Sequence, residues 1–413
     1  MMDIVVIADD LTGALDTGVQ FIKKGIITMV ITNLEFDLKN IPDNIEALVI
    51  DTESRHLLGE QAKTRIKNIL SKFKNHPIRY YYKKIDSTFR GNVGKELEGF
   101  IEGTGTKILS FVPAFPDNAR KVKDGILYVN DERITQTSFA KDILNPIKND
   151  YIPDILKENF SYKIERIEGL NIQNLSFKDK KIILFDSETK NDLINIGEKL
   201  KHENLLKYSA GSAGFAEIIA EFEKRNNLFK KSSFKNDKIL FISGSVNPIS
   251  LEQNEYAKQN GYVTYDFKFE KIICKNFDFQ ELVNKIDFNK NKKILLRTFS
   301  KNHNMEDNLN YLKERKLEIN EIALNITQNI GILTKNIIYK YNIETIIVFG
   351  GDTLIGILKA LKCFYIIPLV EIISGVVLSE IEYDNKRIKI ITKAGGFGKV
   401  DIIKTIENYK GIR

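Results

Sequence analysis

The chain has 413 residues, 43% hydrophobic and 28% charged, which is the make-up of a globular protein and excludes a fibrous or disordered one. That length exceeds what one hydrophobic core ordinarily serves, so two domains are expected. The formal net charge of +7 comes from lysines and arginines spread among acidic residues, with no basic arm or stripe. This argues against a nucleic-acid partner and leaves a mild preference for small anions.

Short runs rich in Ile and Val alternate with helical patterns, as in a parallel sheet with covering helices. In chain order, strands are expected at IVVIA, ALVI, YYYKKI, ILSFV, IILF and LLKYS. A polar, lysine-rich stretch, EKRNNLFKKSSFKND, follows near residues 223 to 237 and reads as a linker. Beyond it come strands at ILFIS, ILLRT, TIIVFG and RIKIIT. The expected fold is α/β with two domains, 1–230 and 231–413, each a mostly parallel sheet flanked by helices. No solenoid-length repeat or heptad run is present.

Cys274 and Cys363 lie far apart and are expected as buried free thiols, and His56, His76, His202 and His303 are scattered with no HxxxH spacing. Neither a disulfide framework nor a zinc or other metal site is expected. The N-terminus runs into IVVIADD without a basic segment or cleavage site, and the longest apolar run, IIPLVEIISGVVL, is short for a span and holds Glu371. A cytoplasmic protein with no membrane partner is expected.

The segments after the strands carry the chemistry. IVVIA is followed by DDLTGALDTG, ALVI by DTESR, YYYKKI by DSTFRGN, ILSFV by PAFPDNAR and LLKYS by AGSAGFA. In the second half, ILFIS leads into GSVNP, TIIVFG into GDT and RIKIIT into KAGGFG. In open α/β sheets ligands bind beyond the carboxyl ends of the strands, so each half is expected to carry a binding rim.

In the first half, Arg55 is the best candidate to clamp a carboxylate through its planar fork, with Lys84 and Arg90 as further cations. The bland alternative for these three is surface ion pairing. Asp9 and Asp10 close the first strand, where one carboxylate can cap the next helix and the other can accept hydrogen bonds from hydroxyls. Asp86 and Ser87 lie on the turn DSTFRGN, within reach of a ligand. GNVGKE is too short for a phosphate loop, and Glu96 stands where a magnesium-holding Ser or Thr would be needed. VPAFPDNAR, stiffened by Pro113 and Pro116, either shapes a pocket wall or turns the chain.

In the second half three glycine-rich turns follow strands: Ser243-Gly244-Ser245, Gly350-Gly351-Asp352-Thr353, and Gly395-Gly396-Phe397-Gly398. Such turns offer backbone N–H groups to phosphates, and Thr353 is a phosphate contact or a cap. Neither a P-loop nor a dinucleotide fingerprint is present.

The stretches IADDLTGALDTGVQF, DTESR, YKKIDSTFRGNVGKEL, VPAFPDNAR, AGSAGFA, ISGSVNP, FGGDT and KAGGFGKVD together resemble the four-carbon acid sugar kinase family, in the family's order and over nearly the whole chain. The DTGVQ and TESR details look most like its D-threonate branch. The resemblance implies ATP-dependent phosphorylation of a terminal 4-hydroxyl, with sugar acid held by the N-terminal domain, nucleotide by the C-terminal one, and the active site in the cleft between them. It implies substrate contacts at Asp9, Asp10, Arg55, Lys84, Ile85, Asp86, Ser87 and Arg90, with Asp86 and Asp10 as candidate catalytic carboxylates. It implies ATP contacts at Ser243, Ser245, Gly350, Gly351, Asp352, Thr353, Gly395 and Gly396, with Mg²⁺ accompanying the nucleotide, and it leaves room for a homodimer. Kinases for D-erythronate or a 3-oxo-tetronate are alternatives, and a sugar-acid sensor without catalysis is the alternative from another class. In VNDERITQTSFAKDILNP, Asp131 replaces a usual Gly.

Overall fold

The computed structural model describes residues 2–411 apart from 142–145, 168–169, 171, 173–177, 227–231, 235–236, 268, 275–276, 300–310, 312–313 and 316–318. Two compact units form, Met1–Leu228 and Phe229–Arg413.

The first unit begins with β1 (Ile4–Ala8), α1 (Leu11–Lys23), β2 (Thr28–Ile31), β3 (Ala47–Asp51), α2 (Gly59–Ser71), β4 (Tyr80–Lys84), α3 (Val93–Thr104) and β5 (Ile108–Val112). A small antiparallel sheet follows, made of β6 (Arg120–Lys123), β7 (Ile126–Val129) and β8 (Glu132–Arg133). Then come α4 (Ile152–Lys157), β9 (Lys163–Ile167), β10 (Lys181–Phe185), α5 (Lys190–His202), β11 (Tyr208–Gly211) and α6 (Ala213–Phe222). The main sheet has the order β2-β3-β1-β4-β11-β5-β10-β9 and is parallel throughout. Every residue of β1, β3, β4, β5 and β10 is buried, because helices cover both faces; this is why all but β4, which buries Lys83 and Lys84, read as mainly apolar runs.

The second unit comprises β12 (Ile239–Ser243), α7 (Pro248–Gln259), β13 (Val263–Asp266), α8 (Phe269–Ile272), α9 (Phe279–Lys285), β14 (Lys293–Arg297), α10 (Ile319–Tyr341), β15 (Thr345–Phe349), α11 (Gly351–Leu361), β16 (Tyr365–Ile373), β17 (Val376–Tyr383), β18 (Lys386–Lys393) and α12 (Ile402–Glu407). Its order is β13-β14-β12-β15-β18-β17-β16, parallel from β13 to β18 and antiparallel across β17 and β16. A core of Phe241, Tyr262, Leu295, Ile347, Phe349, Leu378, Ile391 and Ile402 fills one face.

The two units repeat one device. In each, the first strand is flanked on one side by the third and on the other by the fourth, so the chain reverses its winding beside the first strand. Such a switch point opens a crevice beyond the carboxyl ends of the strands. In the first unit the crevice gathers the segments after β3, β1 and β4. In the second it gathers those after β12 and β15.

Some expectations are corrected. The apolar run IIPLVEIISGVVL forms the antiparallel pair β16 and β17 around Gly375, whose φ is 73°. Cys274 is exposed; only Cys363 is buried. The strand expected at LLKYS lies further on, at Tyr208–Gly211. The stretch read as a linker begins by closing the first unit, with Glu223 buried against Arg79 and the Tyr80 hydroxyl, and Arg225 paired with Glu46 and Asp3. Among the described residues, no helix is long and apolar enough to cross a membrane.

Candidate active site

Asp10 is the N-cap of α1, in extended backbone with its Oδ1 accepting the Gly13 N–H at 2.9 Å. Its Oδ2 accepts from Arg55 Nη1 at 2.7 Å, while Arg55 Nε donates to Asp9 Oδ2 at 2.7 Å. Arg55 Nη2 lies 3.9 Å from Asp86 Oδ1. One guanidinium thus ties together the carboxylates that close β1, and it faces the one that follows β4. The DTESR loop that delivers it is pinned by Asn92 Nδ2, which donates to the Leu57 carbonyl at 2.7 Å and to those of Ser54 and Arg55.

Asp86 accepts from Arg90 Nε at 2.7 Å and from the Thr88 hydroxyl at 2.5 Å on Oδ2, and from Arg90 Nη2 at 3.1 Å on Oδ1. Burial alone would raise the Asp86 carboxyl, but the Arg90 and Arg55 charges outweigh it and hold it well below the usual carboxylate range. Asp9 behaves alike, its burial overcome by Arg55, Lys83 and Lys84. Asp51, at the end of β3, goes the other way: burial and the nearby carboxylates push its carboxyl well up. Ile85 is fully buried and presents its carbonyl, and Ser87 is half-buried beside Thr88, which makes the contact to Asp86.

Lys83 and Lys84 point to opposite faces of β4, as alternation in a strand dictates. Lys83 is fully buried and pairs with Glu96 of α3 at 2.8 Å, and Glu96 also accepts from the Ser54 hydroxyl at 2.6 Å. Lys84 is 4% exposed and donates to the Ile85 carbonyl at 2.9 Å, and among the described residues it forms no ion pair. It reaches the first turn of α1 because position 13 is glycine: a Cβ there would lie 2.9 Å from Lys84 Nζ. Asp9 Oδ1, equally buried, has no hydrogen-bond partner among the described residues. The rim therefore holds spare donors on Lys84 and a spare acceptor on Asp9.

Around this cluster, Arg120 of PAFPDNAR is electrostatically coupled to Asp86 and Arg90, and burial pulls its guanidinium down. The segment after β8 brings the Phe139 ring to Arg90, 5.9 Å from guanidinium carbon to centroid. Asp131 adopts a φ of 65° beside Asn130 at 52°, the left-handed turn that a glycine at this position suits.

In the second unit the glycine turns converge. The Gly244 N–H bonds the Phe349 carbonyl, and a Cβ on Gly244 would sit 2.1 Å from Thr353 Oγ1, so the turns after β12 and β15 meet at backbone contact. Gly350 caps α11 with a φ of 116°, Gly351 opens the helix, Thr353 is buried in its first turn and Asp352 is exposed. Ser243 Oγ is buried and accepts from Asn254 Nδ2 at 2.9 Å, while Ser245 Oγ bonds Ser250 Oγ at 3.0 Å. Gly395 and Gly396 are exposed on the turn after β18, which Gln253 holds through the carbonyls of Phe397, Gly398 and Lys399. The N-terminus of α11, opened by Gly350 and Gly351, and the exposed turn of Gly395 and Gly396 suit a phosphate chain. Among the described residues, no group of three or more His, Cys, Asp and Glu stands together to hold a metal.

Sequence reading missed Glu96, Thr88, Asp51, Lys393 and the polar face of α7. A lysine pair inside a doubly covered strand is the available signal for Lys83–Glu96, since one of the two must enter the core. Ser250, Gln253 and Asn254 recur at helical spacing, which marks a polar face that is nevertheless buried.

A family model described as a sugar-binding N-terminal domain matches residues 4–219, and one described as a nucleotide-binding C-terminal domain matches residues 240–403. The chain is 27% identical over 424 residues to the D-threonate kinase of Salmonella typhimurium, covering 96% of each. It is 28% identical over 278 residues to the D-erythronate kinase of Heliobacterium modesticaldum, spanning 64% of this chain and 62% of that one. A crystal structure from Salmonella typhimurium LT2, described as a putative tRNA synthase, shares the fold with a TM-score of 0.80 at 19% identity over 99% of both chains. With a sugar-binding match over the unit that carries the carboxylate–guanidinium cluster, and a nucleotide-binding match over the unit that carries the glycine turns, the chain belongs to the four-carbon acid sugar kinase family, ATP-dependent kinases of carbohydrate acids.

Proposed function

We propose that the chain transfers the terminal phosphoryl group of ATP to the 4-hydroxyl of D-threonate, giving 4-phospho-D-threonate and ADP. The observation that carries this reading is the pairing, at one switch point, of the buried Lys84 ammonium with spare donors and the buried Asp9 Oδ1 with no donor. A small polyhydroxy acid offers a carboxylate to the first and a hydroxyl to the second. Its length coverage and its name make the Salmonella D-threonate kinase the relative that supports D-threonate over other four-carbon acids.

Arg55 holds Asp9 and Asp10 in place, and Lys84 anchors the substrate carboxylate. Asp86 orients the 4-hydroxyl through Oδ1, which among the described residues takes a single hydrogen bond, from Arg90. An acid held this far down is a weak base, and a loose phosphoryl-transfer transition state asks for placement more than for proton abstraction. Asp10, with both oxygens engaged, serves as cap and brace. On the other rim, Ser243, Ser245, Gly350, Gly351, Thr353, Gly395 and Gly396 would hold the phosphates of ATP, and Asp352 stands in the first turn of α11 for the Mg²⁺ that accompanies them. ATP supplies the phosphoryl group, and transfer requires the acceptor oxygen and the phosphorus to meet in line.

The test is ADP release coupled to a reporter, with D-threonate, D-erythronate and a 3-oxo-tetronate offered in turn and the product read by phosphorus NMR. D-threonate is expected to give the highest kcat/KM and a 4-phospho product. If none of the acids stimulates turnover above the water background while ADP still binds, the substrate reading is wrong.

A further inference from the structure

Burying a cation without a counter-charge is costly, and the described residues mostly avoid it. Lys83 pairs with Glu96, Lys181 with Glu165, and Arg297 with Glu255 and Asp266. Two buried lysines stand apart. Lys84 belongs to the substrate rim described above. The other is Lys393, the last residue of β18, which is 2% exposed.

Lys393 Nζ donates to Ser250 Oγ at 3.0 Å and to the Gly395 carbonyl, and it lies 4.8 Å from the centroid of the Phe349 ring. Each packed element presents a neutral group to it: α7 gives Ser250, β15 gives Phe349, β17 gives Val376 and the turn after β18 gives a carbonyl. No titratable side chain of the described residues moves it, and burial alone pulls its amine down to about 7. Ser250 in turn bonds Ser245, and its hydroxyl also reaches the Gly395 carbonyl at 3.4 Å. The ammonium therefore stands in the middle of the phosphate rim, tied to two of its three glycine turns and resting on the strand that feeds the third.

We propose that Lys393 is a phosphate ligand of the nucleotide site, exchanging its bonds to Ser250 and the Gly395 carbonyl for oxygens of the nucleotide's phosphate chain. The inference rests on the nucleotide-binding reading of this unit and adds a residue and a consequence to it. A polyphosphate supplies the counter-charge that the fold withholds, so the amine gains a proton as the nucleotide arrives. Binding is then linked to proton uptake, and affinity falls by up to about tenfold per pH unit between the free and bound pKa values of the lysine.

The experiment is calorimetric titration of the full chain with ADP and magnesium at about pH 8, in two buffers of different ionisation enthalpy. The wild type is expected to take up close to one proton per ADP, and Lys393→Met none, with a Kd at least tenfold weaker. Lys393→Arg, which carries its charge at every working pH, is expected to bind better than Lys393→Met and to take up no proton. A folded Lys393→Met that binds ADP as tightly as the wild type overturns the proposal. Should that variant fail to fold, the wild type alone decides, because ADP binding without proton uptake overturns it equally. If the wild type binds no ADP at all, the nucleotide reading itself has failed, and that outcome is distinct from the other two.

Discussion

Lys84 illustrates how a residue can be bad for the fold and good for the ligand. Its ammonium is buried with no ion pair among the described residues, and its charge acts at longer range on the Asp9 carboxyl that Arg55 bonds directly. Lys84→Met, nearly isosteric, is therefore expected to change the melting temperature by no more than a few degrees. The same change removes the proposed carboxylate anchor, and KM for D-threonate is expected to rise at least tenfold, about 1.4 kcal/mol, with ADP affinity unaltered. An unchanged KM would remove Lys84 from the substrate site. Asp51 makes the converse case through pH. Its folded pKa lies above the ordinary value of about 3.9, so the native state keeps a proton that the unfolded chain gives up as pH rises. Its favourable contribution is complete below that value and is lost on going up through the folded pKa. Asp51→Asn keeps the acceptor for the Glu53 N–H and never ionises, so it is expected to stabilise the protein more at about pH 8 than at about pH 5. Thermal melts at the two pH values check this, and a gain independent of pH would contradict it. At this scale the charged residues of the rim could be named from the sequence, because Asp9, Asp10, Arg55, Asp86 and Arg90 all follow strands. Their partners could not. That the Arg55 fork is taken up by Asp9 and Asp10, leaving Lys84 with the spare donors, depends on which strands are neighbours.

Among the elements, α10 and α11 cross with almost no side chain between them. A Cβ on Gly356 would lie 2.2 Å from the Thr327 carbonyl oxygen, and one on Gly331 would lie 2.2 Å from the Gly356 carbonyl oxygen. Both clashes are with backbone, so no rotamer change relieves them. Gly356→Ala must push the helices apart, and a cost of about 1–3 kcal/mol is expected, read as a lower urea midpoint with D-threonate affinity intact. A wild-type midpoint in the variant would show that the helices slide freely. The central strands β1, β3, β5, β12 and β15 were legible because burial on both faces leaves runs rich in Ile, Val, Leu and Phe. The edge strands were not. β9 and β13 are only partly buried, KIERI and VTYD lack a long apolar run, and what makes them strands is the neighbour that they pair with. β16 and β17 merged into one apolar run because the turn that separates them is only Ser374 and Gly375.

For the molecule as a whole, the two units differ in how their carboxylates are held. In the first, Asp9, Asp86 and Glu98 overcome the burial that would raise them and sit below their ordinary values, and the bond from Lys63 takes Glu102 down to about 2. Among the described residues of the second unit, Glu281 alone is lowered, and it lies at the surface between Lys285 and Lys271. A depressed folded pKa means that the unfolded chain binds protons first as pH falls. The stability such groups confer is present above about pH 4 and drains away as pH drops through their folded values. Asp51 opposes this, being one carboxyl that gains from acid, but it stands against eight lowered carboxyls among the described residues of its own unit. The first unit is therefore expected to open at a higher pH than the second when the protein is acidified. Hydrogen exchange followed by mass spectrometry resolves the two directly, because peptides from β1 to α6 and from β12 to α12 report separately. Loss of protection in the first set at a pH where the second remains protected is the expected result. Simultaneous loss would mean that the units share one cooperative transition, and earlier loss in the second would mean that the buried Asp–Arg cluster does not govern acid stability.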